Sequence, residues 1–200
     1  MKNLLLIALL ISSNALGKAS KRYEPIATPT PIVAASPVGT PIPGCHVITL
    51  KCDSTCTSAE RAELPSIEAA MNKTLCSSCF KQFIFEPTRR FDYVYNWSRQ
   101  KIYDKLTTPT TLTLNYYYTS PKVYGYESAS DLSTIHFNRN ATKNLTLCQK
   151  ASLGAHEFSH TQDFYHNGNR PGPNFYSGPY QVNHAFEGGD GNVACCVDGK

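Results

Sequence analysis

The chain carries little charge of either sign. Asp, Glu, Lys and Arg make up 17% of its 200 residues, and the formal net charge is only +4. So mild a balance gives no electrostatic footprint for nucleic acid. Beyond the first twenty residues no stretch is long and apolar enough to span a bilayer. Cysteine is absent from the first 44 residues. A cysteine-linked lipid anchor near the start is therefore excluded, as is an N-terminal thiolate reaching back to a metal. No internal repeat is apparent, and the length supports at most one domain plus extensions.

What is present begins with an export signal. Met1-Lys2-Asn3 is a short basic start, Leu4 to Ile11 is a brief apolar core, and small residues follow through Ala15, Gly17 and Ala19. Residues 1–19 read as a secretory signal peptide, too short for a membrane span. The expected location is secreted, extracellular or, in a bacterium, periplasmic. Ser20 to Gly44 then holds six prolines: Pro25, Pro29, Pro31, Pro37, Pro41 and Pro43. That spacing forbids regular helix, and residues 20–44 read as an extended linker or as a propeptide.

Residues 45–200 form the expected folded domain. They hold all eight cysteines: Cys45, Cys52, Cys56, Cys76, Cys79, Cys148, Cys195 and Cys196. An even number in an exported chain predicts a disulfide framework, with the connectivity left open. Adjacent Cys195 and Cys196 are expected to tie the C-terminus to two different places. An alternative sets Cys52-x-x-x-Cys56 and Cys76-x-x-Cys79 around a structural zinc, but an oxidising compartment argues against it. Cys76-Ser-Ser-Cys79 as a redox pair lacks a thioredoxin-like context.

Periodicity predicts an α+β domain. Thr57 to Glu60 looks like a capping box opening an N-terminal helix that Pro65 interrupts or restarts. Lys81 to Glu86 alternates like a strand, with Phe91 to Tyr95 as a partner. A second helix is expected over Trp97 to Leu106. Further strands are expected over Thr110 to Tyr118, Val123 to Tyr126 and Ser133 to Asn138. The Tyr116-Tyr117-Tyr118 run reads as strand packing rather than a sugar platform.

The stretch with the clearest chemistry is Ala155-His156-Glu157-Phe158-Ser159-His160-Thr161-Gln162-Asp163-Phe164-Tyr165-His166. On a helix, His156 and His160 lie about 40° apart and face one ion. Glu157 sits beside them, placed to take a proton from a water that the metal activates. Leu153, Ala155, Phe158 and Phe164 supply an apolar side, and Asn167-Gly168-Asn169 is the expected helix stop.

His156-Glu157-x-x-His160-x-x-Asp163-x-x-His166 resembles the metzincin zinc-peptidase signature, His-Glu-x-x-His-x-x-Gly-x-x-His. The resemblance implies zinc held by His156, His160 and His166, with Glu157 as general base. It implies a twisted mixed sheet carrying an N-terminal helix and a zinc-binding helix that turns at the Gly position, here occupied by Asp163. The strand before the metal helix, Ser133 to Asn138, would then run along the substrate cleft and pair with an extended peptide. Residues 20–44, if a propeptide, would cover that cleft. The only methionines are Met1 and Met71, so the methionine turn that such peptidases place under the zinc is missing. Gly178-Pro179-Tyr180-Gln181 is the candidate substitute floor.

Should the helix continue past Asp163, His166 would rotate about 240° from His160 and face elsewhere. Glu187 would then be the third ligand, a gluzincin-like arrangement, with Asp190 orienting a histidine. His184 has a weaker claim, and His46 and His136 read as ordinary histidines. Tyr176 or Tyr180 is a candidate donor to an oxyanion, with packing as the plainer role. The function that follows is secreted zinc-dependent hydrolysis of peptide bonds by a monomer acting on a peptide or protein substrate, with no membrane anchor. The alternative from another class is a secreted zinc-containing binding protein without catalysis. Asn72, Asn96, Asn140 and Asn144 head glycosylation triplets that do not discriminate between these readings.

Overall fold

The computed structural model of the protein describes residues 21–22, 39–94, 96–119, 124–128, 131–166, 175–188 and 194–196. The signal peptide, Val123, the Asn167–Asn169 stop and Asp190 lie outside them. The fold is α+β. A mixed sheet has the order β1-β4-β5-β3-β2. Its strands are β1 (Lys21–Arg22), β2 (Ile48–Cys52), β3 (Thr110–Tyr117), β4 (Gly125–Ser128) and β5 (Asp131–Asn138). β2, β3 and β5 are mutually parallel; β4 runs antiparallel to β5, and the two-residue β1 antiparallel to β4.

The sheet alternates as a one-sided sheet must. Leu50 pairs with Leu112, Leu114 with Ile135, and Tyr116 with Phe137, and all six are buried. Against this face pack α1 (Ser58–Leu75) and α5 (Leu147–Thr161). Residues Thr113, Asn115 and His136 point the other way. There His136 stacks on Tyr126, with ring centroids 4.2 Å apart, and bonds to Asn115. Within the Tyr116–Tyr118 run, only Tyr118 is largely exposed.

α1 opens on the expected capping box, with Thr57 and Glu60 satisfying each other's backbone donors. Pro65 neither breaks nor restarts it. Proline removes the donor to the Arg61 carbonyl, but both residues lie on the exposed side, where water replaces the lost bond. The strand expected over Lys81 to Glu86 is instead helix α2 (Ser78–Phe85). The Ser77 hydroxyl accepts from Phe80 N–H at 3.0 Å, and Phe80, Phe83 and Ile84 are buried at helical spacing. The Phe83–Phe85 alternation was a coincidence, since Phe85 faces out. Phe91 to Val94 forms no strand; it is a loop with Tyr93 at φ 60°, joined to the rest by one bridge from Asp92 to Ser177. Helix α3 (Arg99–Leu106) starts on Ser98 and buries Ile102 and Leu106.

Four disulfides close the fold: Cys45–Cys76, Cys52–Cys56, Cys79–Cys195 and Cys148–Cys196. No cysteine is free, so the zinc reading of Cys52, Cys56, Cys76 and Cys79 fails, and Cys76 and Cys79 do not pair with each other as a redox motif would. Cys195 and Cys196 do tie the C-terminus to two places, α2 and the start of α5. Such a set belongs to an oxidising compartment. Among the described residues, no helix is long and apolar enough to cross a membrane.

The start of the body differs from expectation in one respect. Residues 39–44, assigned to the Pro-rich segment, are packed: Ile42 N–H donates to the Cys76 carbonyl at 2.7 Å and Ser78 N–H to the Thr40 carbonyl at 3.0 Å. Two short helices complete the order, α4 (Arg139–Thr142) and α6 (Gly178–Glu187).

Candidate metal centre

α5 begins with a second capping box, Thr146 with Gln149, and buries every residue from Ala151 to His160. A helix buried on all sides places its polar residues by necessity against partners rather than water. His156 and His160 stand one turn apart, ring centroids 5.1 Å apart.

The helix ends sooner than Asn167, and the reason is Asp163. Its φ is +68°, in the left-handed region. Asp163 N–H donates to the His160 carbonyl at 3.2 Å and Phe164 N–H to the Ser159 carbonyl at 3.1 Å. This pair of bonds is the Schellman arrangement, in which one left-handed residue reverses the chain. Asp is among the few residues that tolerate it. Lys105 of α3 holds the Asp163 carboxylate at 2.8 Å. After the reversal Phe164 is fully buried, and its carbonyl accepts from His160 Nδ1–H at 2.8 Å. His166 then comes back over the helix, its ring centroid 4.8 Å from that of His160 and 5.6 Å from that of His156. One ligand atom from each of His156, His160 and His166 lies within 4.8 Å of the others, and all three residues are buried.

α6 forms the far wall. His156 Nδ1–H donates to Asn183 Oδ1 at 2.6 Å, and the Pro179 carbonyl also accepts from this ring. The Tyr180 ring lies 5.3 Å from both His156 and His166, edge-on to the first. It is 1% exposed. Tyr180 thus stands against two of the three clustered histidines. The α6 N-terminus is itself held from the 86–98 loop, by Arg89 Nη1–H to Gln181 Oε1 at 3.1 Å and by Asp92 N–H to the Tyr176 carbonyl at 2.6 Å.

These contacts test whether the residues suit a metal. Both helical histidines have Nδ1 committed as a donor, which fixes the tautomer with Nε2 as acceptor, the form a metal ligand takes. Burial, then the neighbouring His160 and His166, hold His156 well below the usual imidazole range. The ring is therefore neutral at physiological pH, as a ligand must be. The donor set and its supporting bonds fit a divalent ion that prefers nitrogen ligands.

Glu157, next to His156 in α5, is fully buried. β4 crosses it at Gly125. A Cβ on Gly125 would lie 3.0 Å from Glu157 Oε1 and 2.8 Å from the His136 carbonyl, so the strand approaches this closely only because the residue is glycine.

The other candidates lie elsewhere. Glu187 is the last residue of α6, which Gly188 ends at φ +71°. Among the described residues, Glu187 is no member of the histidine cluster. His184 packs its ring against Phe175 at 4.4 Å. His46 is exposed and bonds Thr49, and His136 belongs to the opposite sheet face. The strand expected to line a cleft, Ser133 to Asn138, is internal: β3 pairs with one edge and β4 with the other. An 840 Å³ cavity lined by Arg89, Phe91, Trp97 and Arg99, among others, contains none of the site residues.

No protein-family model, curated protein or solved structure matches this chain.

Sequence reading missed Asn183, Lys105 and the close approach of β4. Asn183 had one available signal. It and Gln181 are amides among Tyr180, Val182, Ala185 and Phe186, and a polar group in so apolar a stretch must find a buried partner. Lys105 and Gly125 had none.

Proposed function

We propose that this protein is a secreted zinc peptidase of metzincin type, with His156, His160 and His166 holding the ion and Glu157 acting as general base. The observation that carries the reading is the convergence of the three buried histidines, one of them delivered by the Asp163 reversal.

Bound zinc would supply a Lewis acid that polarises a peptide carbonyl and acidifies water. The chain's own groups do the rest. Asn183 and the Phe164 carbonyl orient the helical imidazoles. Tyr180 and the packed α5 interior exclude bulk water from the donor set. Glu157 takes the proton from the attacking water and delivers it to the departing amine as the peptide C–N bond breaks.

The test is Glu157→Gln. The variant should bind one equivalent of zinc as the parent does and lose peptide cleavage by about 10²-fold or more. Cleavage at the parental rate would remove Glu157 from the mechanism. Stoichiometric zinc in the parent with no turnover of any peptide library would favour the zinc-containing binding protein instead.

A further inference from the structure

The loop between α2 and α3, with the first residue of α3, gathers three arginines around the 840 Å³ cavity. Arg89, Arg90 and Arg99 line it against a single carboxylate, Asp92. Each guanidinium is held in place. Arg89 is buried, lies over the Phe83 ring at 3.6 Å and bonds to Glu86 and Gln181. Arg90 lies over the Tyr176 ring at 4.8 Å, and Asp92 accepts from its Nε and Nη2. Arg99 lies over the Phe91 ring at 4.9 Å, and its Nη2 donates to the Arg89 carbonyl. Two of the three therefore have a carboxylate, and the third has a neutral acceptor. Among the described residues no acidic group comes within ion-pairing distance of Arg99, and Glu86 acts on it only through space. Burial, and then the charge of Arg89, hold the Arg99 guanidinium below its usual range. Positive charge has been collected here without its full complement of counter-charge. Nε and Nη1 of Arg99 and Nη1 of Arg90 remain as donors for a further acceptor.

The rest of the lining is of another kind. Phe91 and Trp97 are half-buried and Ile102 is buried. Trp97 is fixed edge-on to Phe164, ring centroids 5.4 Å apart. A volume of this order falls in the range that small-molecule sites span, about 300–1,000 Å³, and such sites join an apolar wall to a few placed polar groups. The guanidinium fork matches a carboxylate in two bonds. We propose that this cavity binds an organic carboxylate with an apolar body, its charge on Arg99 and Arg90 and its body against Trp97 and Phe91. A bare inorganic anion satisfies the arginines but leaves the aromatic wall without a partner. A free small acid and the carboxyl end of a peptide offer the same chemistry. The cavity contains none of the three histidines and not Glu157, so the site needs no zinc and stands whether or not the protein is a peptidase. Because the anchors are already immobile, little ordering opposes binding.

Trp97 is the only tryptophan of the chain, so its emission reports on this cavity alone. The metal-free, disulfide-intact protein is titrated with N-acetylphenylalanine, with N-acetylphenylalanine amide and with a pentapeptide ending in a free phenylalanine. Equilibrium dialysis measures binding, and Trp97 fluorescence locates it. The acid should bind saturably with a change in Trp97 emission, and the uncharged amide about tenfold or more weaker. Added salt should weaken the acid, since the charges are partly exposed. Arg99→Gln should weaken the acid about tenfold. Arg90→Gln, at an exposed position, should weaken it by a smaller factor and guards against a folding defect in the first variant. Binding of the pentapeptide as tight as that of the acid assigns the site to chain ends, and binding of the acid alone assigns it to free small acids. No saturable binding at millimolar acid, binding without a change in Trp97 emission, equal affinity for acid and amide, or parental affinity in both arginine variants would each overturn the assignment.

Discussion

Replacing Asp163 tests the turn that delivers His166. Asp163 holds φ +68°, and its carboxylate meets Lys105 at 2.8 Å with side chains 49% and 32% exposed. Glycine there relieves a left-handed backbone strain of about 1 kcal/mol. It gives up roughly 0.5–1 kcal/mol through a freer unfolded chain. It also loses a half-exposed ion pair worth about 0–1 kcal/mol. The three nearly cancel, so Asp163→Gly should leave stability within about 1 kcal/mol of the parent and retain zinc. Valine cannot rest in that region, because its branched side chain clashes there. Asp163→Val should cost about 2 kcal/mol or more and weaken zinc binding, since the reversal must open. The assay is urea unfolding of the metal-free, disulfide-intact protein, with zinc affinity from chelator competition. A valine variant indistinguishable from the parent, or a glycine variant with a tenfold loss of zinc affinity, would show that the turn does not place His166.

Three further outcomes are expected. Asn183→Ala should raise the zinc dissociation constant about tenfold, the low end for an orienting partner because the Pro179 carbonyl still accepts from His156; parental affinity would dismiss the orienting role. His166→Ala should abolish retention of zinc through dialysis while Glu187→Ala keeps it, and the reverse pattern would revive Glu187 as ligand. The metal-free protein should lose stability as pH falls below the ordinary imidazole value of 6.5. His156 is depressed in the fold, so below that value the unfolded state takes up a proton the native state refuses; stability is full above it and declines toward the folded value. Unfolding midpoints that stay flat between pH 8 and pH 5 would contradict this.

Local signals carried the sequence reading where the structure itself is local. The two helices that open on capping boxes, α1 and α5, announce themselves in Thr57–Glu60 and in the run up to His156, because a helical spacing is a property of a few adjacent residues. The histidine cluster was legible for the same reason, and even Asp163 was visible as the residue on which everything turned. What could not be read depends on distant partners. Phe83 and Phe85 alternate like a strand until Ser77 and the core against Phe80 make them helical. The strand over Ser133 to Asn138 was rightly found and wrongly placed at an edge, since nothing in its residues reveals that β4 folds back alongside it. Pro65 was read as interrupting or restarting its helix, yet it is exposed enough to be harmless.

The two cystines at the C-terminus have a bearing on where such a site can exist at all. Cys195 and Cys196 also receive α6 by its own backbone, their N–H groups donating to the Ala185 and Phe186 carbonyls at 2.8 and 3.1 Å. One clasp therefore fastens the wall that carries Asn183 and Tyr180 to the base of the histidine helix, and it closes only by oxidation. A chain still inside a reducing cell would have the histidines but not the fastening. Assembly of the chamber around the three histidines then waits on an oxidising compartment, a safeguard that zinc uptake before and after thiol reduction would reveal.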